Sequence, residues 1–250
     1  MDFFLKSLGV AFLGYLIGNL INYFADVLPL TRRLSPVVCR HCGHAFSLVN
    51  YVLFRPCPSC KTPRPPRAYW VQASCMLLTL ALWFFPPPRH LPLEAAWVLL
   101  LLFGVILVID LEHRVILYQV SAVAAFCGIV LGSWLNGFFP SLLGGALGFG
   151  IMLVLYYLGE GFRRWVSRRR DEPIDEVALG FGDVTLGGIL GLMLGWPRIG
   201  ISLLFAILLG GLIGGLMLLV MVIFRRYRPF TALPYAPFML VAAAILLYRL

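Results

Sequence analysis

Charge is scarce in this chain, and acidic charge is the scarcest. The 250 residues include 11 Asp and Glu against 20 Lys and Arg, and 12% of all residues are charged while 61% are hydrophobic. Disordered chains carry more charge and fewer apolar residues, and ordinary soluble domains are less apolar. The mean hydropathy is also positive, so the composition indicates a membrane protein.

The chain also lacks the alternation of polar and apolar residues that a transmembrane β-barrel requires. Its apolar runs are continuous, and helices are the remaining way to satisfy the backbone in lipid. We therefore predict an all-α polytopic membrane protein with about eight transmembrane helices. The apolar segments cover roughly 3–24, 69–85, 94–110, 116–135, 140–160, 183–196, 199–224 and 233–249. The sixth is short, with about 14 residues against the roughly 20 that span a bilayer.

Basic residues are concentrated in alternate loops. Seven lie between the first two segments, one between the third and fourth, five between the fifth and sixth, and three between the seventh and eighth, which together are 16 of the 20. The positive-inside rule makes these loops cytoplasmic and places both termini outside the cytoplasm. The net charge of +9 thus reflects topology and favours contact with anionic membrane lipids. It does not imply nucleic acid as a partner.

Four of the six cysteines form two C-x2-C pairs in the first cytoplasmic loop. Cys39 and Cys42 are separated by 14 residues from Cys57 and Cys60, a spacing that fits tetrahedral coordination of a structural zinc ion. Unligated or disulfide-bonded cysteines are the alternative, although a reducing cytoplasmic loop disfavours disulfides. Because the loop has no apolar run from which to build a core, zinc would order it.

Two aspartates stand at the ends of apolar segments. Asp110 ends the run 99–109, and Asp183 follows Gly180-Phe-Gly182 and opens another run. Charged residues in membrane segments are rare unless they pair, line a wet cavity or do chemistry. The predicted topology brings both aspartates to the cytoplasmic face.

These aspartates have the properties of an acid–base pair. Asp183 lies near a helix N-terminus, where the dipole favours a charged carboxylate, and Asp110 near a C-terminus, where it does not. One would activate water while the other, protonated, polarises a scissile carbonyl. Gly180 and Gly182 allow unusual backbone conformations and leave room for an extended peptide. Alternatively, both carboxylates reach water at the membrane edge, or pair with Arg114 and the basic residues of 163–170.

Five motifs in order resemble those of the type IV prepilin peptidases, a family of GxGD aspartic proteases. They are Gly18-Asn19-Leu-Ile-Asn22, the double C-x2-C loop, Ile109-Asp110-Leu-Glu-His, Glu176-Val-Ala-Leu-Gly-Phe-Gly-Asp183, and Pro234-Tyr-Ala-Pro237-Phe238. The resemblance implies an aspartic endopeptidase of the inner membrane that cleaves the basic leader of prepilins and pseudopilins at the cytoplasmic face. It implies that Asp110 and Asp183 are catalytic.

The resemblance also implies cofactors. It makes the four loop cysteines zinc ligands, and many members N-methylate the new N-terminus with S-adenosylmethionine. No glycine-rich nucleotide-binding loop is evident in the sequence, so methylation rests on the resemblance. Several features depart from the family. Thr185 stands where Lys is frequent, Ala236 where Gly is frequent, and Leu117–Gln119 where Leu-Pro-Asp is frequent. The two C-x2-C pairs are also closer together than in the common bifunctional members.

We expect three regions: a first transmembrane helix over 1–24, a zinc-binding loop associated with methyl transfer over 25–68, and a peptidase core over 69–250. Gly180, Gly182 and Glu176 are predicted to contact substrate. The acidic residues of 171–176 would receive the positive charge of the leader, or would balance Arg168–Arg170 as a solvated loop.

Two other interpretations remain open. One is another GxGD intramembrane protease, and the other is a zinc-ordered membrane scaffold or a proton-coupled transporter. Glycines at small-residue spacing predict close helix packing, without chemistry, at Gly144, Gly145, Gly148 and Gly150 and at Gly210, Gly211, Gly214 and Gly215.

Overall fold

The computed structural model describes residues 2–88, 91–170, 179–224 and 234–249. Across these ranges the chain forms helices, and an isolated antiparallel bridge joins Val38 to Ala45. The helices are α1 (Asp2–Thr31), α2 (Leu48–Val52), α3 (Pro66–Phe84), α4 (Leu93–His113), α5 (Tyr118–Asn136), α6 (Phe138–Arg170), α7 (Phe181–Leu194), α8 (Arg198–Ile223) and α9 (Ala236–Arg249). Each predicted apolar segment is therefore helical, and α2 lies in the cysteine loop.

Five of the described helices are long and apolar enough to cross a membrane, namely α1, α4, α5, α6 and α8. Helices α7 and α9 are apolar but have 14 residues each, a length of about 21 Å against a hydrocarbon core of about 30 Å. The all-α multi-pass fold class is thus confirmed. By length and composition, the number of spans among the described residues is below the predicted eight.

The chain divides into two compact units, Met1–Ile109 and Asp110–Leu250. The boundary falls inside α4, so the first unit holds α1 to α3 and most of α4. The second unit holds the last turn of α4 and α5 to α9, and both aspartates with them. The functional division at residues 24 and 68 stays a prediction.

In the first unit, α1 packs closely on α3. Glycine allows this approach: a Cβ added at Gly14 would clash with the backbone of α3, and a Cβ added at Gly18 would lie 2.7 Å from the amide oxygen of Gln72. The buried Asn22 donates a hydrogen bond to the Ala68 carbonyl at 3.1 Å. The motif from Gly18 to Asn22 therefore forms part of the seam between these two helices.

The second unit is built around α7. This helix is apolar around its circumference, a pattern typical of a buried helix, and Val184, Leu186, Leu190 and Met193 have no exposed surface. It packs against α5, α6, α8 and α9. Its first turn, which carries Asp183, is therefore positioned by four neighbouring helices.

Glycines bring α6 and α7 into backbone contact. A Cβ at Gly148 would meet the carbonyl of Gly187, and Gly144 and Gly145 face α7 in the same way. The predicted packing role is confirmed for these three. It is not borne out for Gly150, Gly211 and Gly215, where an added Cβ would have no atom of the described residues within 4 Å. Two residues along a helix rotate a side chain by about 200°, so Gly150 faces away from the seam that Gly148 forms.

Candidate active site and metal centre

Asp183 is positioned by the first turn of α7. Gly180 is the N-cap residue, and its N–H donates a hydrogen bond to the Asp183 carboxylate at 3.1 Å. In return, the Asp183 N–H donates to the Gly180 carbonyl at 3.0 Å. A carboxylate in this place satisfies a free N–H and interacts favourably with the helix dipole. The residue is 8% exposed, so its orientation is set by the turn.

Asp110 lies in the last turn of α4, at the start of the second unit. The residue is 5% exposed, and its Oδ2 has no hydrogen-bond partner within the described part of the chain. The helix ends at His113, and the next residue, Arg114, has φ 53° and donates its N–H to the Asp110 carbonyl at 2.8 Å. The Arg114 side chain interacts electrostatically with the Asp110 carboxyl. One carboxyl oxygen of Asp110 is thus left for another partner.

The structure brings the two aspartates together. Their carboxyl groups are close enough to interact electrostatically, and both are buried in the second unit. Two buried carboxyl groups that interact in this way can differ in protonation, so that one can donate a proton while the other accepts one. This arrangement has the chemistry of a general acid–base pair.

The glycines before Asp183 do not act as their sequence pattern predicts. Gly180 has an extended backbone with φ −78°, and Gly182 is helical, so the expectation of conformations reserved for glycine is wrong. Gly182 instead leaves room for Ile116, whose Cβ would lie 2.9 Å from a Cβ at Gly182. At Gly180 the nearest atom to such a Cβ is Asp183 Oδ2, at 3.6 Å.

The predicted substrate contacts remain predictions. Gly180 and Gly182 lie beside Asp183 in the first turn of α7. Glu176 lies outside the described residues, as does the whole acidic run over 171–176.

Tyr235 also reaches the aspartates, although the sequence pattern does not single it out. It interacts electrostatically with Asp183, and its hydroxyl is buried with no hydrogen-bond partner among the residues described. Its ring packs on Gly210, where a Cβ would lie 3.2 Å from Tyr235 Cε2, and on the ring of Phe238 at 6.3 Å. The sequence signal for Tyr235 is its place in the motif Pro234–Phe238. The spacing of residues in that motif does not show that Tyr235 lies near Asp183.

The four loop cysteines come together in the first unit. The sulfurs of Cys39, Cys42, Cys57 and Cys60 all lie within 4.8 Å of one another, and the pairs Cys39–Cys60 and Cys42–Cys57 are 3.6 Å apart. Four thiolates at about 2.3 Å from one tetrahedral zinc ion are about 3.8 Å apart. The four cysteines are free, so the disulfide alternative is not realised and the donor set fits zinc.

The two C-x2-C pairs adopt matching turns. Gly43 donates its N–H to the Cys39 carbonyl at 2.9 Å, and Lys61 donates to the Cys57 carbonyl at 2.8 Å. Gly43 has φ 73° and Lys61 has φ 57°. This shared geometry directs both cysteines of each pair toward one point.

Thr62 favours the thiolate form of its neighbour. The Thr62 hydroxyl lies 3.1 Å from Cys60 Sγ. The side-chain and backbone hydrogen bonds from Thr62 lower the pKa of the Cys60 thiol to about 6. Since the thiolate is the metal-binding form, this contact favours metal binding by Cys60 itself.

A second polar cluster joins the cysteine loop to α1 through Asp26. The Asp26 carboxylate accepts hydrogen bonds from the Tyr51 hydroxyl at 2.7 Å, from Arg67 at 2.6 Å and from Arg64 at 3.3 Å. The Arg64 guanidinium lies 3.8 Å from the centre of the Tyr51 ring. Burial, followed by the charge of Asp26, raises the pKa of Tyr51, so its hydroxyl remains a donor. The sequence interpretation does not include Asp26, because its first helix ends at residue 24.

Comparisons with known proteins relate this chain to one protein family. The type IV leader peptidase family matches residues 97–215. A prepilin leader peptidase/N-methyltransferase of Myxococcus xanthus (strain DK1622) is 30% identical over 222 residues, covering 83% of this chain and 62% of that protein. A prepilin leader peptidase/N-methyltransferase of Aeromonas hydrophila is 26% identical over 236 residues, covering 89% of this chain and 74% of that protein. The chain thus spans less than two thirds of the Myxococcus relative. No solved structure matches it significantly.

The matched region begins in α4 and ends in α8, and it includes both aspartates and the whole of α7. Asp110, Gly180, Gly182 and Asp183 all fall within it, whereas the cysteine cluster and Tyr235 fall outside. The family resemblance read from the sequence motifs is therefore confirmed. Residues 97–215 thus match the type IV leader peptidase family, and the similarity to both relatives extends beyond that region.

Proposed function

We propose that this chain is a membrane aspartic endopeptidase that cleaves the basic leader peptide of type IV prepilins and pseudopilins at the cytoplasmic membrane face. The observation that carries the proposal is the buried pair of Asp110 and Asp183 within the family-matched region. The names of both relatives support prepilins as the substrate class.

The two aspartates would divide the chemistry between them. Asp183 accepts the Gly180 N–H at the N-terminus of α7. This hydrogen bond and the helix dipole favour its charged form, in which it would take a proton from the attacking water. Asp110, at the C-terminal end of α4, would hold the proton that polarises the scissile carbonyl. Gly180, Gly182 and Glu176 would contact the substrate beside this pair.

The leader of a prepilin is basic, whereas the predicted cytoplasmic loops are rich in arginine. The acids over 171–176 would attract the leader to the active-site turn. Reversing the charges of Asp171, Glu172, Asp175 and Glu176 is expected to raise the KM for a basic-leader prepilin. Glu94→Lys, which changes an exposed acid on α4, is the control, and an unchanged KM would contradict this role.

Zinc would be held by Cys39, Cys42, Cys57 and Cys60, whose sulfur positions fit the ion. A four-thiolate site leaves no open coordination position, so the ion would order the loop and would not act on substrate. The proposal places the chain in the inner membrane, in contact with lipid and with both termini outside the cytoplasm.

Methyl transfer from S-adenosylmethionine is a second candidate activity. It is supported by the names of both relatives, which include N-methyltransferase. Labelled S-adenosylmethionine added to a cleavage assay tests it directly. Label on the new N-terminus is the expected result, and cleaved but unlabelled product would reject this activity.

Cleavage of a purified prepilin by the reconstituted chain tests the main proposal. Asp110→Asn and Asp183→Asn keep the side-chain shape, and each is expected to lower kcat by at least about a thousand-fold. Glu160→Gln is the matched control, because Glu160 is a half-buried acid of the second unit that pairs with Arg163 and Arg164. Cleavage that persists in either aspartate variant would remove that residue from the mechanism.

The same assay separates the alternatives. A transmembrane substrate without a basic leader should not be cleaved, whereas another kind of GxGD intramembrane protease would cleave it. A scaffold or a transporter would cleave neither substrate.

A further inference from the structure

The Tyr235 hydroxyl is a buried hydrogen-bond donor that the acid–base mechanism leaves unused. Within the described ranges it has no hydrogen-bond partner, and it lies close enough to Asp183 for the two groups to interact. A buried polar group without a partner is costly. An unpaired donor at a site of bond cleavage is therefore a candidate for contact with the substrate.

The hydroxyl is held on a rigid element. Tyr235 immediately precedes α9, and its carbonyl accepts the Phe238 N–H at 3.1 Å and the Met239 N–H at 3.4 Å. Its ring packs edge-on to the Phe238 ring and lies over Gly210 of α8. The backbone and the ring are thus both constrained, so the hydroxyl needs little rearrangement to meet a bound peptide.

The chemistry of the site indicates which substrate atom needs this donor. During peptide hydrolysis, negative charge develops on the scissile carbonyl oxygen, and a donor placed there stabilises the transition state. The carboxyl group of Asp110 supplies one such contact in the proposed mechanism. A neutral hydroxyl next to the pair can supply another without giving up its proton.

We propose that Tyr235 is a further catalytic residue, whose hydroxyl donates a hydrogen bond to the scissile carbonyl oxygen and stabilises the tetrahedral intermediate. This role rests on the proposed peptidase function. The water oxygen bonds to the carbonyl carbon as its proton passes to Asp183, and the carbonyl electron pair moves to oxygen, which takes the Asp110 proton.

The intermediate then collapses. The amide nitrogen takes the proton from Asp183 as the C–N bond breaks, and Asp110 recovers a proton from one of the two hydroxyls on the carbon. The products are a carboxylic acid and an amine, and both aspartates return to their starting forms. Tyr235 keeps its own proton throughout.

Tyr235→Phe in the full-length reconstituted chain tests this role, because it removes the hydroxyl and keeps the ring on Gly210. With a prepilin as the substrate, we expect kcat to fall by about 10- to 1,000-fold. KM should stay within about threefold, and the pH at which kcat/KM is half-maximal should not move. Tyr248→Phe, near the far end of α9, is the matched control and should leave kcat unchanged.

A rescue variant checks the donor role independently of folding. Tyr235→His places a ring N–H near the same point, and it should recover part of the kcat lost in Tyr235→Phe at equal thermal stability. An unchanged kcat in Tyr235→Phe, a loss that accompanies a shifted pH profile, or no recovery in Tyr235→His would each overturn the proposal. If the parent chain does not cleave prepilin at all, the peptidase function fails instead, which is a separate outcome.

Discussion

The Gly180 N–H and the Asp183 carboxylate are joined by a hydrogen bond of 3.1 Å. The catalytic candidate therefore closes the turn that positions it. The two residues between them also contact neighbouring parts of the chain. The ring of Phe181 packs edge-on to the rings of Phe149 and Tyr156 on α6, and Gly182 packs against Ile116. The orientation of the carboxylate thus depends on the backbone of all four residues.

The two glycines of this turn should respond differently to substitution. Gly182→Ala would place a Cβ 2.9 Å from the Cβ of Ile116, and overpacking of this kind costs about 1–3 kcal/mol. Gly180→Ala meets ordinary contact distances at φ −78° and should keep the stability of the parent. Its effect should appear as a raised KM if substrate contacts this residue. Thermal unfolding in detergent measures the stability of each variant, and prepilin kinetics measure its KM. Equal unfolding temperatures for Gly182→Ala and Gly180→Ala would contradict the packing of Gly182 against Ile116.

The seam between α6 and α7 provides a matched pair on one helix. The Cβ of Gly148→Ala would meet the carbonyl of Gly187, whereas that of Gly150→Ala would have no atom within 4 Å in the described part of the chain. We expect Gly148→Ala to lower the free energy of unfolding by about 1–3 kcal/mol and Gly150→Ala to leave it unchanged within about 0.5 kcal/mol. Denaturant unfolding of the two variants measures the difference, and the opposite order would place the seam on the other face of α6.

The cysteine cluster is expected to bind one zinc ion per chain. Cys39→Ser with Cys57→Ser removes one thiolate from each turn, so zinc measured by elemental analysis should fall close to zero. Protease cleavage within residues 32–65 should increase, because the loop depends on the metal for its order. Cys75→Ser, on α3 and outside the cluster, is the control. A zinc content unchanged by the double substitution would rule out the site.

Asp26 is expected to anchor the same loop. Asp26→Asn leaves Arg64, whose side chain is 3% exposed, without its carboxylate, and removing one partner of a buried ion pair costs about 3–5 kcal/mol. The unfolding temperature should fall, and protease cleavage within 32–65 should increase even with zinc present. Glu94→Gln, an exposed acid of the same unit, is the control. Unchanged proteolysis would show that zinc alone orders the loop.

Features that depend on residues close together in the chain could be predicted from the sequence. Each predicted apolar segment is a helix because a long apolar run in lipid must satisfy its own backbone hydrogen bonds. Cys39 and Cys42 face one point, as do Cys57 and Cys60, because each C-x2-C pair folds into one tight turn. The cap on α7 also follows from local spacing, since Asp183 stands three residues after Gly180.

Contacts between distant parts of the chain could not be predicted from the sequence. Gly148 and Gly150 look alike in sequence, and only the packing of α7 against one face of α6 distinguishes them. The approach of Tyr235 to Asp183 depends on how α9 and α7 pack. The anchoring of the loop by Asp26 depends on where three separate side chains meet α1.

The sequence by itself determined the helical class of this protein, the family of its core, the spacing of its metal-binding cysteines and the two aspartates that stand out in an apolar chain. These properties follow from composition and from spacings of a few residues. Only the tertiary structure decided that Asp110 and Asp183 are both buried and interact, that Tyr235 interacts with Asp183, and that Gly182 makes room for Ile116. Those relationships depend on side-chain contacts between helices, and neither hydropathy nor local spacing specifies which helix faces meet.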